Sequence, residues 1–554
     1  MSTPDRRSSV LHRIGLVAAV LLSSMPVAAD VATEFVVTRP ASVPDDQTLV
    51  AEGAVVGRIQ TDRRGIFDHR DNLNWLLSTA NRLHRTTRES VVRSQLVFAT
   101  GEPYDPRKLQ ESERILRSNQ FLFDAAIVPV SYRDGVVDIE VVTRDLWSIE
   151  PTLSLKRSGG ENQTTLGIED ENFLGTGALL GGLYERDLDR RTRLVYFADR
   201  QLGTRWLSLA ASAADSNDGH RYAFSLGRPF FALETRYAWN VQAVDFKRVD
   251  SLYRLGDELV DYEHDERFLD VWGGWSRGLQ NGWVRRWRVG IVANDNRFAP
   301  PPNGIRAGVV PADRELIYPY VSVTWLEDRF IKTANVQQIA RTEDFFLGAQ
   351  LGLTLGYAGT SLGSDRSAWI IGASAQRGFG RADHKLLLLD AQTRGRIESG
   401  RTANGTLSFR ARYFHRQSAK WLQSITLSGV RGQRLDLDRP LQLGGDIGLR
   451  GYPVRYQSGE SRVLFSFEQR YFTDWYPWRV LRVGAAAFVD AGRTFGDNPI
   501  GGQSLGWLRS VGVGLRLAPT RGGRKVFHLD VAFPLDGDPS IDSVQISFQG
   551  KRGF

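Results

Sequence analysis

Residues 482–492 read Arg-Val-Gly-Ala-Ala-Ala-Phe-Val-Asp-Ala-Gly, and their character alternates from one position to the next. Successive side chains of a β-strand point to opposite faces, so the odd-numbered positions share one face. That face is small or apolar throughout: Val483, Ala485, Ala487 and Val489. A charge facing lipid on a membrane strand costs on the order of 2 kcal/mol. The pattern therefore predicts a barrel strand that directs Asp490 into the lumen.

The preceding run predicts a neighbouring strand with the same division of faces. Its lipid-facing side would carry three apolar residues: Val463, Phe465 and Phe467. Glu468 and Arg470 would then face the lumen. We therefore expect Asp490 and Glu468 inside the barrel on adjacent strands.

Short alternating runs of this kind recur from residue 148 to residue 554, separated by clusters of Gly, Asn, Asp and Ser. They predict a transmembrane antiparallel β-barrel of about 16 strands, although a division into about twenty strands fits the runs equally well. A soluble sandwich or propeller is disfavoured, because no blade-length repeat is visible. Two hydrophilic stretches, 247–267 and 295–315, are expected to be surface loops.

A glycine-rich stretch precedes both strands: Leu443-Gly444-Gly445-Asp446-Ile447-Gly448-Leu449-Arg450-Gly451-Tyr452. Glycines at this density mark backbone that turns sharply or passes close to other atoms. We expect Arg450 to pair with Asp490, with Glu468 as a second acceptor and Tyr452 packed beside them. The alternative is an arginine on an exposed loop, unrelated to the acids of the lumen.

The first 29 residues have the features of a secretory signal peptide. Three arginines precede the apolar run 14–22, and Val27-Ala28-Ala29 supplies small residues for cleavage after Ala29. The apolar run is shorter than the roughly 20 residues that a spanning helix needs. Residues 30–54 contain two prolines and no helical period, and we interpret them as a linker or short strand.

Residues 55–147 predict a small α+β domain in the order β-α-α-β-β. A strand at 55–59 is followed by helical patterns at 72–84 and 88–98, and then by a helix that Asp105 would cap. In that helix Leu109 and Leu116 share one side, and four charged residues would face water: Glu111, Glu113, Arg114 and Arg117. Strands at 123–131 and 136–143 complete the domain.

Composition excludes several classes of site. There is no cysteine, so disulfides and thiolate metal sites are absent. The formal charge of +8 is spread along the chain, without the basic block expected of a nucleic-acid-binding protein. Gly502-Gln503-Ser504-Leu505-Gly506 matches a hydrolase motif, but it lies between barrel strands rather than at a strand-to-helix elbow. The eight histidines show no metal spacing. We expect no enzyme, no metal and no cofactor.

Three motifs together resemble the superfamily of BamA, TamA and two-partner secretion barrels, which includes the bacterial surface antigen family. They are the Gly444-Gly445…Leu449-Arg450-Gly451-Tyr452 loop, the strand Phe488-Val489-Asp490-Ala491-Gly492, and Asn172-Phe173-Leu174-Gly175-Thr176-Gly177. The last residues, 547–554, contain Phe548 and end in Phe554, and they resemble the family's C-terminal insertion signal. The resemblance implies sixteen strands, a loop latched in the lumen by Arg450, and a weakly closed seam between the first and last strands.

The N-terminal unit resembles one POTRA domain of that superfamily, on Val97-Phe98-Ala99-Thr100-Gly101-Glu102-Pro103-Tyr104-Asp105 and Glu113-Arg114-Ile115-Leu116-Arg117. In the family such domains bind unfolded clients by adding a strand to a sheet edge. The resemblance implies a bacterial outer-membrane protein with its N-terminal domain in the periplasm. Its expected partners are unfolded outer-membrane or secreted polypeptides, outer-membrane lipid, and periplasmic chaperones or accessory lipoproteins.

The expected function is therefore insertion of polypeptides into the outer membrane or their translocation across it. The alternatives are a passive porin-like channel and a structural surface antigen. Client identity, insertion versus secretion versus lipid transport, and oligomeric state stay open at this point.

Overall fold

The computed structural model describes residues 35–66, 85–158, 161–203, 205–301, 310–381, 383–477, 481–497, 504–519, 522–523 and 525–551. The predicted signal peptide, the helix expected at 72–84 and the terminal Phe554 lie outside these residues. No helix in the described ranges is long and apolar enough to cross a membrane.

The small N-terminal domain has three helices and three strands in the described residues: α1 Asp46–Ala51, β1 Val55–Arg64, α2 Glu89–Arg93, α3 Pro106–Arg117, β2 Leu122–Arg133 and β3 Val136–Asp145. The sheet order is β1-β3-β2, with β1 parallel to β3. Asp105 caps α3 by accepting the N–H of Arg107, and Pro106 opens the helix. Leu109, Leu116 and Ile139 are buried in the core between helices and sheet.

Two local predictions for this domain differ from the structure. The stretch predicted as a linker contains α1, whose Leu49 is fully buried in the core. A helix of six residues is too short to show an apolar period, so only its Asp45 cap marks it in the sequence. The helix predicted at 88–98 ends at Arg93 and continues as turns.

The rest of the described chain forms a closed antiparallel barrel, which confirms the predicted fold class. Twenty strands close it within the described residues, more than the sixteen that the family resemblance implies. The barrel strands are β4 Ile149–Ser158, β5 Glu161–Phe173, β6 Ala178–Arg186, β7 Arg191–Leu202, β8 Leu207–Ser216, β9 Gly219–Arg228, β10 Tyr237–Arg254, β11 Asp257–Gln280, β12 Trp283–Ala299, β13 Arg314–Glu327, β16 Gln350–Ala358, β17 Ala368–Arg381, β18 Lys385–Glu398, β19 Arg401–Arg416, β20 Trp421–Gln433, β23 Ser461–Phe472, β24 Leu481–Phe495, β25 Leu508–Pro519, β26 Val526–Pro534 and β27 Gln545–Lys551.

Two short hairpins interrupt this order and fold towards the inside. One is β14 Phe330–Ala334 with β15 Thr342–Phe346, and the other is β21 Leu441–Leu443 with β22 Gln457–Gly459. We call the first the plug hairpin (residues 330–346) and residues 434–460 the lumen loop. Strand directions place the plug hairpin at the mouth beside the small domain, the domain-side mouth. The lumen loop enters from the opposite, loop-side mouth.

Strand parity follows the sequence pattern. On β24, Val489 is 41% exposed on the outside, whereas Asp490 is fully buried inside. On β23, Phe465 faces out and Glu468 is buried. Further exposed apolar side chains continue the outer belt around the barrel: Leu166, Val195, Val271, Ile291, Val321, Leu353, Ile371, Leu407, Val513 and Ile546. This belt suits contact with lipid hydrocarbon.

The two hydrophilic stretches predicted as loops differ from that prediction. Residues 247–267 continue β10 and β11 as one long hairpin with only Leu255 and Gly256 between the strands. Tyr262 and His264 face inward and are each 2% exposed. The stretch is mostly hydrophilic, but it is a strand whose alternate residues are buried on one face. The second stretch begins as the end of β12 and finishes as the start of β13.

The seam between the first and last strands is weakly paired. Within the described residues, β27 and β4 share one registered position, Ser547 opposite Lys156. Every other pair of neighbouring barrel strands shares at least seven registered positions, the smallest set joining β13 to β16 or β26 to β27. Within the described residues, strand pairing at this seam is therefore sparser than between any other neighbouring barrel strands.

Candidate functional site

The lumen loop is compact because its glycines allow close backbone contacts. Gly445 donates its N–H to Pro453 O at 3.0 Å, and β21 pairs with β22 to form the base of the loop. A Cβ on Gly444 would collide with the backbone of Pro453 and Arg455. Gly448 has φ +117°, a conformation that favours glycine. The loop can therefore turn back on itself inside the barrel and present Arg450 to the wall.

Arg450 meets both predicted acids. Its Nε lies 2.8 Å from Asp490 Oδ2 and its Nη2 lies 2.7 Å from Asp490 Oδ1, a two-pronged ion pair. Its Nη1 lies 2.5 Å from Glu468 Oε1, and Nη2 also donates to Ser466 Oγ at 3.1 Å. The guanidinium stacks over the Phe488 ring at 3.4 Å. Every edge of the Arg450 head group is thus in contact with the barrel wall.

The pair belongs to a larger charge cluster on β23–β26, which we call the latch cluster. Glu468 also contacts Arg470 at 2.8 Å and lies 3.8 Å from Arg516. Arg516 pairs with Asp530 at 2.5 Å. The cluster contains three arginines and three carboxylates, so its formal charge is zero: Arg450, Arg470, Arg516, Glu468, Asp490 and Asp530. Removing any one member leaves an uncompensated buried charge.

The other predicted loop residues hold Arg450 in place. Tyr452 is fully buried, and its hydroxyl donates to Arg509 O at 2.8 Å while accepting the Arg509 N–H at 3.0 Å. Gly451 passes so close to β25 that a Cβ would lie 2.5 Å from that of Ser510. A Cβ on Gly492 would lie 3.0 Å from Leu443 of the loop. Small residues on both sides therefore permit close contact between loop and wall.

Three further ion pairs anchor the lumen loop, and the sequence pattern did not predict them. Arg455 forms a two-pronged pair with Asp189, at 2.7 Å for both contacts, in the turn between β6 and β7. At the start of the loop, Asp436 pairs with Arg396 of β18 at 2.9 Å, and Asp438 pairs with Arg314 of β13 at 3.1 Å. These partners lie up to 266 positions apart in the chain, and no local spacing connects them.

The charged side of α3, predicted to face water, is the surface that contacts the barrel. Glu111 accepts the N–H of Leu233 at 2.7 Å, in the turn between β9 and β10. Arg117 forms a two-pronged pair with Asp344 of the plug hairpin, at 2.7 and 2.8 Å. Glu113 contacts Lys332 of the same hairpin. The charges were correctly placed on one side of the helix, but that side is buried by a partner distant in sequence.

The plug hairpin joins the small domain to the barrel interior. Arg341 donates to the carbonyl of Phe123 at 2.9 Å, and Thr342 donates to Asp124 at 2.5 Å, so the hairpin lies against β2. Its apolar tip packs against inward side chains of the barrel wall, in a buried cluster that includes Val336, Ile339, Phe345, Leu388, Phe414, Leu422 and Phe472. Burial raises the pKa of Glu343 in β15 to about 6, although its carboxylate accepts the N–H groups of Val336 and Gln337.

The motif at residues 172–177 forms the turn between β5 and β6 and also contacts the small domain. Asn172 donates to Thr87 Oγ1 at 2.9 Å, and Arg88 N–H donates to Gly175 O at 2.9 Å. Gly175 has φ +74°, and a Cβ there would lie 2.8 Å from Thr86 O. The glycine is therefore required both for the turn and for the approach of the domain.

Several backbone groups on the two edges of the small sheet are already bonded in the described residues. On β2, Glu113 accepts the N–H of Ile127 at 2.8 Å, Arg117 donates to Ala125 O at 2.8 Å, and Pro129 has no N–H. On β1, Val56 N–H donates to Glu102 O at 2.9 Å. A client strand adding to the β2 edge of this sheet would have to displace these side chains.

One acidic group has the proximity of a metal site, but a cation of the chain already occupies it. Ligand oxygens of Glu150, Glu169 and Glu171 lie within 4.8 Å of one another at the domain-side mouth. Lys525 contacts Glu169 and lies 3.6 Å from Glu150, which also accepts the N–H of Gly523. These contacts make the three glutamates part of an ion-paired contact between the first barrel strands, β4 and β5, and the turn between β25 and β26.

The hydrolase-like motif contributes to the lumen loop. Ser504 accepts from Gln457 Nε2 of β22 at 3.1 Å and donates to Thr494 O at 3.4 Å. Gly502 and Gln503 lie outside the described residues.

The site and fold define a membrane-spanning barrel with an internally anchored loop and a docked α+β domain.

No protein-family model and no curated protein matches the sequence. Among solved structures, the chain is similar to CdiB from Acinetobacter baumannii, with 13% identity, 99% of both chains covered and a TM-score of 0.44. It is also similar to CdiB from Escherichia coli, with 13% identity, 89% of this chain and 75% of that chain covered, and a TM-score of 0.42.

A third similar structure is that of BamA from Haemophilus ducreyi lacking POTRA domains 1–3. Identity is 12%, coverage is 89% of this chain and 84% of that chain, and the TM-score is 0.37. Likenesses of this degree concern the fold alone and carry nothing about function.

Proposed function

We propose that this protein is a bacterial outer-membrane barrel that inserts polypeptides into the membrane by opening between β4 and β27, a role that needs no catalytic residue. The observation that carries the proposal is the seam of the twenty-stranded barrel, where β27 and β4 share one registered position among the residues that the structure describes. Few backbone hydrogen bonds need to break there, and the two freed edges would be templates for a client strand.

The docked domain supports a role in receiving clients. A client strand adding to β2 would compete with Arg117 and Arg341, which also hold the plug hairpin against the domain. Binding of a client would therefore weaken the contact between domain and hairpin. The Arg450 latch would keep the lumen loop fixed while the seam opens. In this proposal the domain lies in the periplasm, where accessory lipoproteins or chaperones could deliver clients.

A passive porin is the second candidate, and the plug hairpin argues against free passage of larger solutes because its apolar tip packs against the inner wall near the domain-side mouth. Deleting residues 55–147 separates the two functions. Solute uptake by a porin would survive the deletion, whereas client handling would be lost.

The direct test locks the seam. Because the chain has no cysteine and Ser547 lies opposite Lys156, the variant S547C/K156C can form a single disulfide across the seam. We expect the oxidised protein to fail in maintaining outer-membrane client levels, measured by proteomics of cells depleted of the wild type, and to recover on reduction.

The matched control is S374C/Q392C, a registered pair between β17 and β18. It should leave client levels unchanged. If the locked seam supports normal client levels, insertion through the seam is wrong. If only exported proteins fall, the protein translocates clients instead.

A further inference from the structure

A polar cavity of about 500 Å³ lies between the lumen loop and the wall made by β16–β20. The wall side of its lining includes inward-facing polar residues: Gln376, Gln392, Ser408 and Ser428. Ile447 of the lumen loop lines the other side of the cavity. The apolar cluster around the plug hairpin lies on the domain side of this cavity, where β18 and β19 contribute Leu388 and Phe414. The cavity is therefore lined mainly by polar side chains, in contrast to the apolar packed region next to it.

Arginine dominates the charges of the cavity. Arg394, Arg410 and Arg462 line it, and Asp390 is the single acid in its lining. Arg412 follows Arg410 on the same inward face of β19, with its Nη2 3.9 Å from Asp390. Asp390 is thus the one carboxylate in the lining beside Arg394, Arg410 and Arg412, while Asp446 of the lumen loop lies near Arg462.

Two of these arginines form no ion pair within the ranges that the structure describes. There, neither Arg394 nor Arg410 lies within 4.0 Å of a carboxylate, and both side chains are exposed to the cavity. In the latch cluster, which begins on β23 beside this cavity, three arginines are balanced by three carboxylates. A wall of low polarisability concentrates the field of unpaired charges in an enclosed space, which raises the local concentration of counter-ions.

We propose that this cavity is an anion-binding site that makes the ion conductance of the barrel selective for anions. The recognised chemistry is a small anion or an anionic oxygen group, held by the guanidinium groups of Arg394 and Arg410. Rings of Arg or Lys perform this role in anion pores. The property is independent of whether polypeptides pass the seam.

The test measures the reversal potential of single barrels in a planar bilayer under a KCl gradient. It uses the full-length protein and a variant whose hairpin tip, residues 335–341, is replaced by Asn-Gly, a two-residue turn that can join β14 to β15. We expect chloride to be preferred over potassium by roughly threefold or more, most clearly in the hairpin variant. R394E/R410E should abolish or invert this preference.

R431E is the matched control. Arg431 lies opposite Leu407, whose side chain is 52% exposed on the outer belt, so it faces away from the lumen. Its substitution should leave the reversal potential unchanged. Any of three results would overturn the proposal. The wild type could prefer potassium, the two charge-reversal variants could shift the reversal potential equally, or the barrel could carry no current with or without the hairpin tip. Heat-modifiable migration on gels verifies that every variant forms a barrel.

Discussion

Replacing Arg450 by Met should release the lumen loop at a cost set by the two acids left behind. At 2.7–2.8 Å and an effective dielectric constant of about 20, the attraction of one ion pair is about 6 kcal/mol before desolvation. Because Asp490 is fully buried and would keep only polar contacts, the net loss should be about 3–5 kcal/mol. Met retains much of the volume of the side chain, so the effect reports charge rather than a cavity.

The assay is urea-dependent protease cleavage of the lumen loop in folded, detergent-solubilised barrels, with cleavage at Arg455 as the signal. R509M is the matched control, since Arg509 and Asp536 form a two-pronged pair at 2.8 Å in which the arginine side chain is 59% exposed. An exposed pair should contribute at most about 1 kcal/mol.

A second variant, R450M/D490N, removes both charges of the closest pair and should regain at least about half of the loss. Equal effects of R450M and R509M, or a double variant that is no more stable than R450M, would refute the assignment of a buried, mutually compensated pair.

Three further predictions address the other contacts. R117D should abolish the docking of the small domain, and the exchanged pair R117D/D344R should restore it. Docking is measured by cross-linking of the domain to the barrel. If the exchange fails to restore cross-linking, the ion pair does not hold the domain. The carboxyl group of Glu343 has a pKa of about 6 in the packed hairpin, against an ordinary value of 4.5 in a released hairpin. Between these pH values the packed hairpin therefore binds more protons than the released one. Packing is stabilised by up to about 2 kcal/mol as the pH falls from about 6 to 4.5. A spin label at Q338C should therefore be less mobile at pH 5 than at pH 7.5, and E343Q should remove the difference. G451V should displace the lumen loop from β25, because even a Cβ at this position would lie 2.5 Å from the Cβ of Ser510. G273A is the control, since Gly273 has open space around it. The lumen loop of G273A should be cleaved by protease like that of the wild type.

Alternation was sufficient to predict the barrel and the faces of its last strands, because lipid on one side and lumen on the other impose opposite requirements on successive residues. It did not predict the strand number, since short alternating runs can be divided in more than one way. It also concealed the long hairpin of β10 and β11, where charged residues outside the membrane alternate with buried Tyr262 and His264.

For the candidate site, the pairing of Arg450 with Asp490 was inferred from a loop motif and a strand parity, two local signals. Arg455 with Asp189 and Arg117 with Asp344 have no such signals, because each is created by contacts between elements more than 220 positions apart. The charges of α3 illustrate the difficulty. An amphipathic helix shows which side is polar, but not whether that side meets water or oppositely charged groups of another domain.

The lumen loop touches the wall at β13, β18, β24 and β25 and at the turn between β6 and β7, so its ion pairs connect distant points of the circumference. A ring of twenty strands with one weak joint would flatten easily under lateral pressure from the bilayer. Connections of this kind resist a change from a round to an oval section, because such a change would lengthen one or more of these ion pairs. Opening at the joint would then widen the gap locally while the rest of the wall keeps its curvature.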